Sequence, residues 1–80
     1  MGLLKISRKE FMHNLTNNLQ HLMQNKGITS IDLASALSVS PELIVKLKNG
    51  DLNNPSLNTV IGISKYFGVS LEKLVLGNLN

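Results

Sequence analysis

The sequence predicts an all-α domain built from five short helices. Five segments begin with a serine or threonine of the kind that caps a helix N-terminus, and four of these segments are closed by a glycine. Within the segments, apolar residues recur three or four positions apart, which is the spacing of one helix face. No stretch alternates apolar and polar residues as a half-buried strand does, so we expect no β-sheet.

Length and composition limit the class of protein. The 80 residues suffice for one small domain, residues 1–80, and the absence of cysteine excludes disulfides and thiolate zinc sites. The net charge of +3 is compatible with a polyanionic partner. No apolar run reaches the roughly 18 residues of a membrane span, and the N-terminus lacks the apolar core of a signal peptide. We therefore expect a cytoplasmic protein without a membrane partner, and the small size argues against an enzyme.

The first predicted helix runs from about Arg8 to Lys26. Ser7 and Glu10 have the spacing of a capping box, and Gly27 is suited to the left-handed conformation that ends many helices. One apolar stripe follows the helical period. It consists of Phe11, Leu15, Leu19 and Leu22, with Met12 and Met23 beside it.

The second and third predicted helices cover residues 30–37 and 41–48. Thr29 caps the second. The Ser40-Pro41-Glu42 sequence starts the third, because serine caps, proline fits the first helical position and glutamate favours the positive end of the helix dipole. A turn at residues 38–40 is too short for an antiparallel return, so the two helices must cross steeply.

The last two predicted helices cover residues 57–67 and 71–76. Each begins after a capping serine and ends before a glycine. These residues are Ser56 and Gly68 for the fourth helix, and Ser70 and Gly77 for the fifth.

The steep crossing of the second and third helices is the geometry of a DNA-binding helix-turn-helix. Five apolar residues are spaced to pack at such a crossing. They are Leu33, Ala34, Val39, Ile44 and Leu47. The same spacing also fits an αα-corner inside an ordinary helical bundle, so spacing alone leaves both interpretations open.

A larger set of residues forms a pattern in fixed order and without a gap. It comprises Leu22, Lys26-Gly27-Ile28-Thr29, Leu33-Ala34, Leu37, Val39-Ser40, Ile44, Leu47, Asn49-Gly50, Asn54-Pro55-Ser56-Leu57-Asn58-Thr59-Val60, Ile63-Ser64, Phe67-Gly68-Val69-Ser70 and Leu71-Glu72-Lys73-Leu74. In this order, the stretch from Leu22 to Leu76 resembles the Cro and phage-repressor-type (Xre-like) helix-turn-helix family. The resemblance implies a compact, lambda-repressor-like five-helix bundle with its helix-turn-helix core at residues 29–49. It also implies a bacterial or phage transcription regulator that binds double-stranded DNA as a homodimer.

The chain departs from the family pattern at several positions. Ser30 stands where relatives usually have a glutamine that binds a phosphate. Met23 and Lys48 occupy the positions of an arginine and a glutamate that often form an ion pair. Pro41 occupies a position where many relatives have a polar residue that contacts a base or a phosphate.

The outward face of the third helix is the predicted base-contacting surface. If Ile44 and Leu47 point inward, the helical period turns a second set of residues outward. This set is Glu42, Val45, Lys46 and Asn49, with Pro41 at its edge. In a major groove, Lys46 can donate to guanine, Glu42 can accept from cytosine, and Val45 can contact a thymine methyl group.

Phosphate contacts are expected around this helix from Ser30, Ser40, Asn49, Asn53 and Asn54. Other interpretations stay open. The two serines could be helix-terminus residues only, and Glu42 could serve only the helix dipole. Leu43 and Val45, if exposed together, could form a protein-contact face. The runner-up functions are an interaction module that retains the fold, and a DNA-binding antitoxin. A DNA-binding protein should gather cations on the side of the third helix, whereas an interaction module need not.

The C-terminal end predicts dimerisation, because it has more apolar residues than one short helix needs. They are Leu74, Val75, Leu76 and Leu79. No catalytic set is visible, and we expect neither a cofactor nor a metal. His13 and His21 are eight residues apart on one helix, with no cysteine or carboxylate pair to complete a metal site.

Overall fold

The computed structural model describes residues 7–52 and 54–77, and this part of the chain forms five α-helices with no strand. The helices are α1 (Arg8–Lys26), α2 (Ser30–Leu37), α3 (Pro41–Asn49), α4 (Leu57–Phe67) and α5 (Leu71–Leu76). These bounds confirm the five predicted helices, with α3 one residue longer than expected. No helix within the described ranges has the length and hydropathy needed to cross a membrane.

Every helix begins at a predicted capping residue. The side-chain oxygens of these residues accept a hydrogen bond from the backbone N–H three positions on; they are Ser7, Thr29, Ser40, Ser56 and Ser70. Thr29 and Asp32 form a complete capping box, in which each backbone N–H donates to the side chain of the other. At Ser7 the structure shows the first half of the predicted box, the bond from the Glu10 N–H.

The end of α2 has a residue in an uncommon backbone conformation. Ser38 adopts the left-handed region with φ at 58°, and its N–H and that of Val39 bond back to the last turn of α2. In this region a side chain is normally disfavoured, so most helices that end this way use glycine. The conformation turns the chain sharply enough for only three residues, 38–40, to separate α2 from α3.

The core is shared by all five helices. Its buried apolar residues come from all five helices: Leu15, Leu19, Met23, Leu33, Ala34, Ile44, Leu47, Val60, Ile63, Leu74 and Val75. α1 packs against α3 on one side and α5 on the other, α2 packs against α3, and α4 contacts α2 and α5. Of the predicted α1 stripe, Leu15 and Leu19 thus lie in the core, and Phe11 and Leu22 pack against it.

One core position of α1 is polar. Asn18 is fully buried, and its side-chain amide donates to the carbonyl oxygens of Leu74 and Gly77, both at 2.7 Å. One turn earlier, the Asn14 amide donates to the Val75 carbonyl at 2.8 Å. Carbonyls in the last turn of a helix have no partner within that helix. The two asparagines therefore hold the C-terminal end of α5 against α1.

The position of α5 corrects one expectation. Leu74 and Val75 were predicted to supply apolar surface for a dimer, but both are fully buried within one chain. They lie on α5, which packs against α1 and accepts the asparagine hydrogen bonds there. Leu76 is half-buried, and Leu79 lies outside the described residues.

Candidate nucleic-acid interface

The unit formed by α2, the turn and α3 has the predicted helix-turn-helix arrangement. Leu33 and Ala34 from α2 and Ile44 and Leu47 from α3 are all buried, so the two helices share one apolar contact. Val39 in the turn is half-buried beside them. Because these residues face inward, the opposite side of α3 is left at the surface.

The outward face of α3 is exposed as expected. Glu42 and Lys46 expose 78 % and 52 % of their side chains, and Val45 is exposed by 41 %. Pro41 and Asn49 are also at the surface. Leu43 is half-buried, so the outward apolar group on this helix is Val45 and not a Leu43–Val45 pair.

The two charges on this face form an ion pair. Lys46 Nζ lies 3.9 Å from Glu42 Oε2, one helical turn away. An exposed pair of this type contributes less than about 1 kcal/mol, so both groups remain available to a stronger partner. The face therefore presents a donor, an acceptor and an apolar contact within two turns of one helix.

The C-terminal end of α3 is held by α1. Thr16 Oγ1 donates to the Leu47 carbonyl at 2.9 Å, and Gln20 Nε2 donates to the Lys48 carbonyl at 2.7 Å. α1 thus contacts this end of α3 through neutral hydrogen bonds, where the family often has an ion pair. Neither residue was predicted from the sequence to contact α3. Thr16 and Gln20 are four positions apart, so the helical period places them on one face of α1 beside the apolar stripe, and this spacing could have indicated their role.

The two predicted phosphate-binding serines differ in role. Ser40 is the N-cap of α3, and its hydroxyl oxygen accepts the Leu43 N–H at 3.2 Å, which leaves its own proton free to donate. Ser30 does not cap α2; it is the first residue of that helix, and Thr29 is the cap. Thr29 is thus the cap of α2, as predicted.

A carboxylate stands at the N-terminus of α2. The Thr29 backbone N–H and hydroxyl hold the pKa of Asp32 below its ordinary value of 3.8, because both hydrogen bonds favour the ionised form. Asp32 therefore stays charged at neutral pH. Its negative charge offsets the helix dipole that would otherwise attract a phosphate. This terminus is a weaker anion site than an uncharged cap would make.

The loop after α3 is only partly described. Asn54 is exposed and lines a shallow cleft together with Arg8 and Phe11. Asn53, also predicted to contact phosphate, lies outside the described residues.

A second groove lies where α1 passes the end of α3. It is open, has a volume of about 690 Å³, and is lined by Arg8, Lys9 and His13 from α1 and by Asn49 and Gly50 from α3 and its cap. The fold thus brings basic residues from the start of the chain to the end of α3. Among the described residues, no group of three or more histidine, cysteine, aspartate or glutamate side chains is placed to hold a metal ion.

The pattern of the helix-turn-helix family matches the chain from residue 19 to residue 74, well over half its length. This range runs from α1 into α5 and contains the whole α2–turn–α3 unit. The chain belongs to the Cro and phage-repressor-type helix-turn-helix family. This confirms the predicted family and, with the five helices, the predicted fold class.

Two relatives are similar to most of this helix-turn-helix chain. An uncharacterized HTH-type transcriptional regulator of Coxiella burnetii is 33% identical over 64 residues, which cover 80% of this chain and 30% of that protein. Another, from Methanocaldococcus jannaschii, is 32% identical over 62 residues, which cover 78% of this chain and 92% of that protein. The chain thus spans less than a third of the Coxiella relative. No solved structure matches it.

Proposed function

We propose that this chain is a sequence-specific, DNA-binding transcriptional regulator that inserts α3 into the major groove. The observation that carries the proposal is the exposed face of α3, where Glu42, Val45 and Lys46 offer three different kinds of base contact. Membership of the helix-turn-helix family and the names of the two relatives support it. We place this activity in the cytoplasm of a bacterium or in a phage-infected cell.

The distribution of charge supports DNA over a protein partner. Lys46 and Lys48 lie on α3, and Arg8 and Lys9 line the groove at its end. A DNA-binding surface needs such a concentration of cations, because neutralised phosphates release counterions. An interaction module that merely retains the fold has no such need.

We also propose that the regulator binds as a homodimer. One α3 spans only a few base pairs, so two copies on half-sites about 34 Å apart would give useful specificity. Because Leu74 and Val75 are buried within one chain, we expect the dimer contact to involve other surface residues. Sedimentation at high micromolar concentration, with and without the selected duplex, should show two copies of the chain per duplex; a strict monomer in both cases contradicts this part of the proposal.

The test of DNA binding is selection of duplexes from a random pool, followed by titration of affinity against salt. We expect a shared sequence motif and a log–log salt slope of about −0.9 for each phosphate contact. Absence of binding to every duplex at low salt contradicts the proposal and favours the interaction module. Binding that becomes specific only with a second protein present favours a DNA-binding antitoxin.

A further inference from the structure

We infer that the basic first turn of α1 is part of the DNA-binding surface, with Arg8 and Lys9 binding backbone phosphates beside the C-terminal end of α3. This inference rests on the proposed function and deepens it. It adds a phosphate-binding segment that lies outside the helix-turn-helix and outside the residues matched to the family, which begin at residue 19.

The geometry joins the two parts of this surface. Arg8 and Lys9 line one side of the groove of about 690 Å³, and Asn49 and Gly50 line the other. Asn49 is exposed and was also predicted to belong to the outward face of α3, so the groove adjoins that face. The hydrogen bond from Thr16 Oγ1 to the Leu47 carbonyl, 2.9 Å long, joins α1 to α3 at this groove, which Thr16 also lines.

The charge of the groove favours a polyanion. Arg8 and Lys9 are exposed, and within residues 7–52 and 54–77 the one ion pair joins Lys46 to Glu42. The acidic residue of the same turn, Glu10, does not line the groove. The cations are therefore not neutralised by a salt bridge in the described part of the chain.

Stability of the helix does not explain these two cations. The N-terminal turn of a helix carries the positive end of the dipole, so Arg8 and Lys9 are placed where cations are disfavoured. Removal of either charge should leave the melting temperature unchanged or slightly higher. A loss of DNA affinity in such a variant then reports on binding and not on folding.

A matched control lies at the opposite end of α1. Lys65 is exposed and precedes Tyr66, whose ring centroid is 5.4 Å from Nζ of Lys26, the last residue of α1. Since α1 has 19 residues, its ends are about 27 Å apart. Lys65→Ala therefore removes the same charge as Lys9→Ala at a point far from the groove.

The experiment measures affinity for the selected duplex against salt in the full chain and in Arg8→Ala, Lys9→Ala, the double variant and Lys65→Ala. Because a homodimer carries each substitution twice, we expect the magnitude of the log–log slope to fall by about 1.8 for each single groove variant, at about 0.9 for each lost phosphate contact. In the double variant it should fall by about twice that amount. Lys65→Ala should keep the original slope, and the Arg8 and Lys9 variants should keep the original melting temperature or raise it slightly.

Two results overturn the inference while leaving the proposed function intact. The first is that the groove variants keep the original salt slope. The second is that Lys65→Ala lowers the slope as much as the groove variants do. In both cases Lys46→Ala still weakens binding, so the proposed function stands. If the unaltered chain binds no duplex at low salt, the proposed function fails and the inference falls with it.

Discussion

The hydroxyl of Thr16 on α1 donates a hydrogen bond to the backbone carbonyl of Leu47 on α3, at 2.9 Å. Leu47 lies in the last turn of α3, where carbonyls lack partners within the helix. The contact therefore caps the helix proposed to enter the major groove, and it fixes the end of that helix relative to α1. The orientation of α3 thus depends on a residue outside the helix-turn-helix.

We predict that Thr16→Val destabilises the domain by about 1 kcal/mol, because valine keeps the shape of threonine but leaves the Leu47 carbonyl without this donor. Urea unfolding of the variant measures the change in the free energy of unfolding. Amide hydrogen exchange should also accelerate at the end of α3. Thr16→Ser, which retains the hydroxyl, is the control; equal loss of stability in both variants contradicts the role of the hydrogen bond.

A larger loss is expected at Asn18. In Asn18→Leu the carbonyls of Leu74 and Gly77 lose the buried amide that donates to both. Leaving a buried acceptor such as the Leu74 carbonyl unsatisfied costs about 1–3 kcal/mol, and leucine does not have the shape of asparagine. Asn14→Ala removes one bond from a half-buried residue and should cost less. Denaturant unfolding of both variants tests this order, and a reversed order contradicts it.

The lowered pKa of Asp32 predicts that the stability of the domain depends on pH. Its pKa is lowered in the folded chain by the Thr29 hydrogen bonds, so its contribution is fully present above the ordinary value of 3.8. That contribution is lost as the pH falls through the folded pKa. We therefore expect Asp32→Asn to be less stable than the original chain at pH 7, with the difference shrinking towards pH 2 in thermal melts. A difference that does not change with pH contradicts this assignment.

The same substitution should also change the affinity for DNA. Asp32→Asn removes a negative charge from the N-terminus of α2, so binding to all duplexes should strengthen at low salt. Affinity measured for the selected duplex and for an unrelated duplex, at a temperature where both proteins are folded, provides the test. An affinity that stays unchanged on both duplexes places this terminus away from the phosphates.

Glu42 and Lys46 should have different roles on DNA although they pair with each other in the free chain. Lys46→Ala is expected to weaken binding to all sequences, and more so to the selected site. Glu42→Ala removes a charge that phosphates repel, so non-specific binding should improve while preference at one cytosine relaxes by about 1–3 kcal/mol. Affinities for the selected site and its single-base variants test both expectations. If Glu42→Ala strengthens binding equally on every sequence, Glu42 serves only the start of α3.

The helices and the outward face of α3 could be predicted because their signals are local. A capping serine or threonine acts on an N–H three residues away, and a closing glycine acts on the turn before it. Helical periodicity likewise relates residues within one or two turns, which sufficed to place Glu42, Val45 and Lys46 at the surface. The family pattern then associated this local arrangement with DNA binding.

Only the tertiary structure decided which distant residues meet. Thr16 and Leu47 are 31 positions apart, and Asn14 and Val75 are 61 apart, so no local rule relates them. The sequence does not distinguish whether apolar residues such as Leu74 and Val75 belong to a dimer interface or to the core. In the structure both are buried in the core, where α5 packs against α1. Packing also brought Arg8 to the end of α3. The physical reason is that local backbone preferences set each helix, whereas burial and the satisfaction of helix-end carbonyls are properties of the assembled bundle.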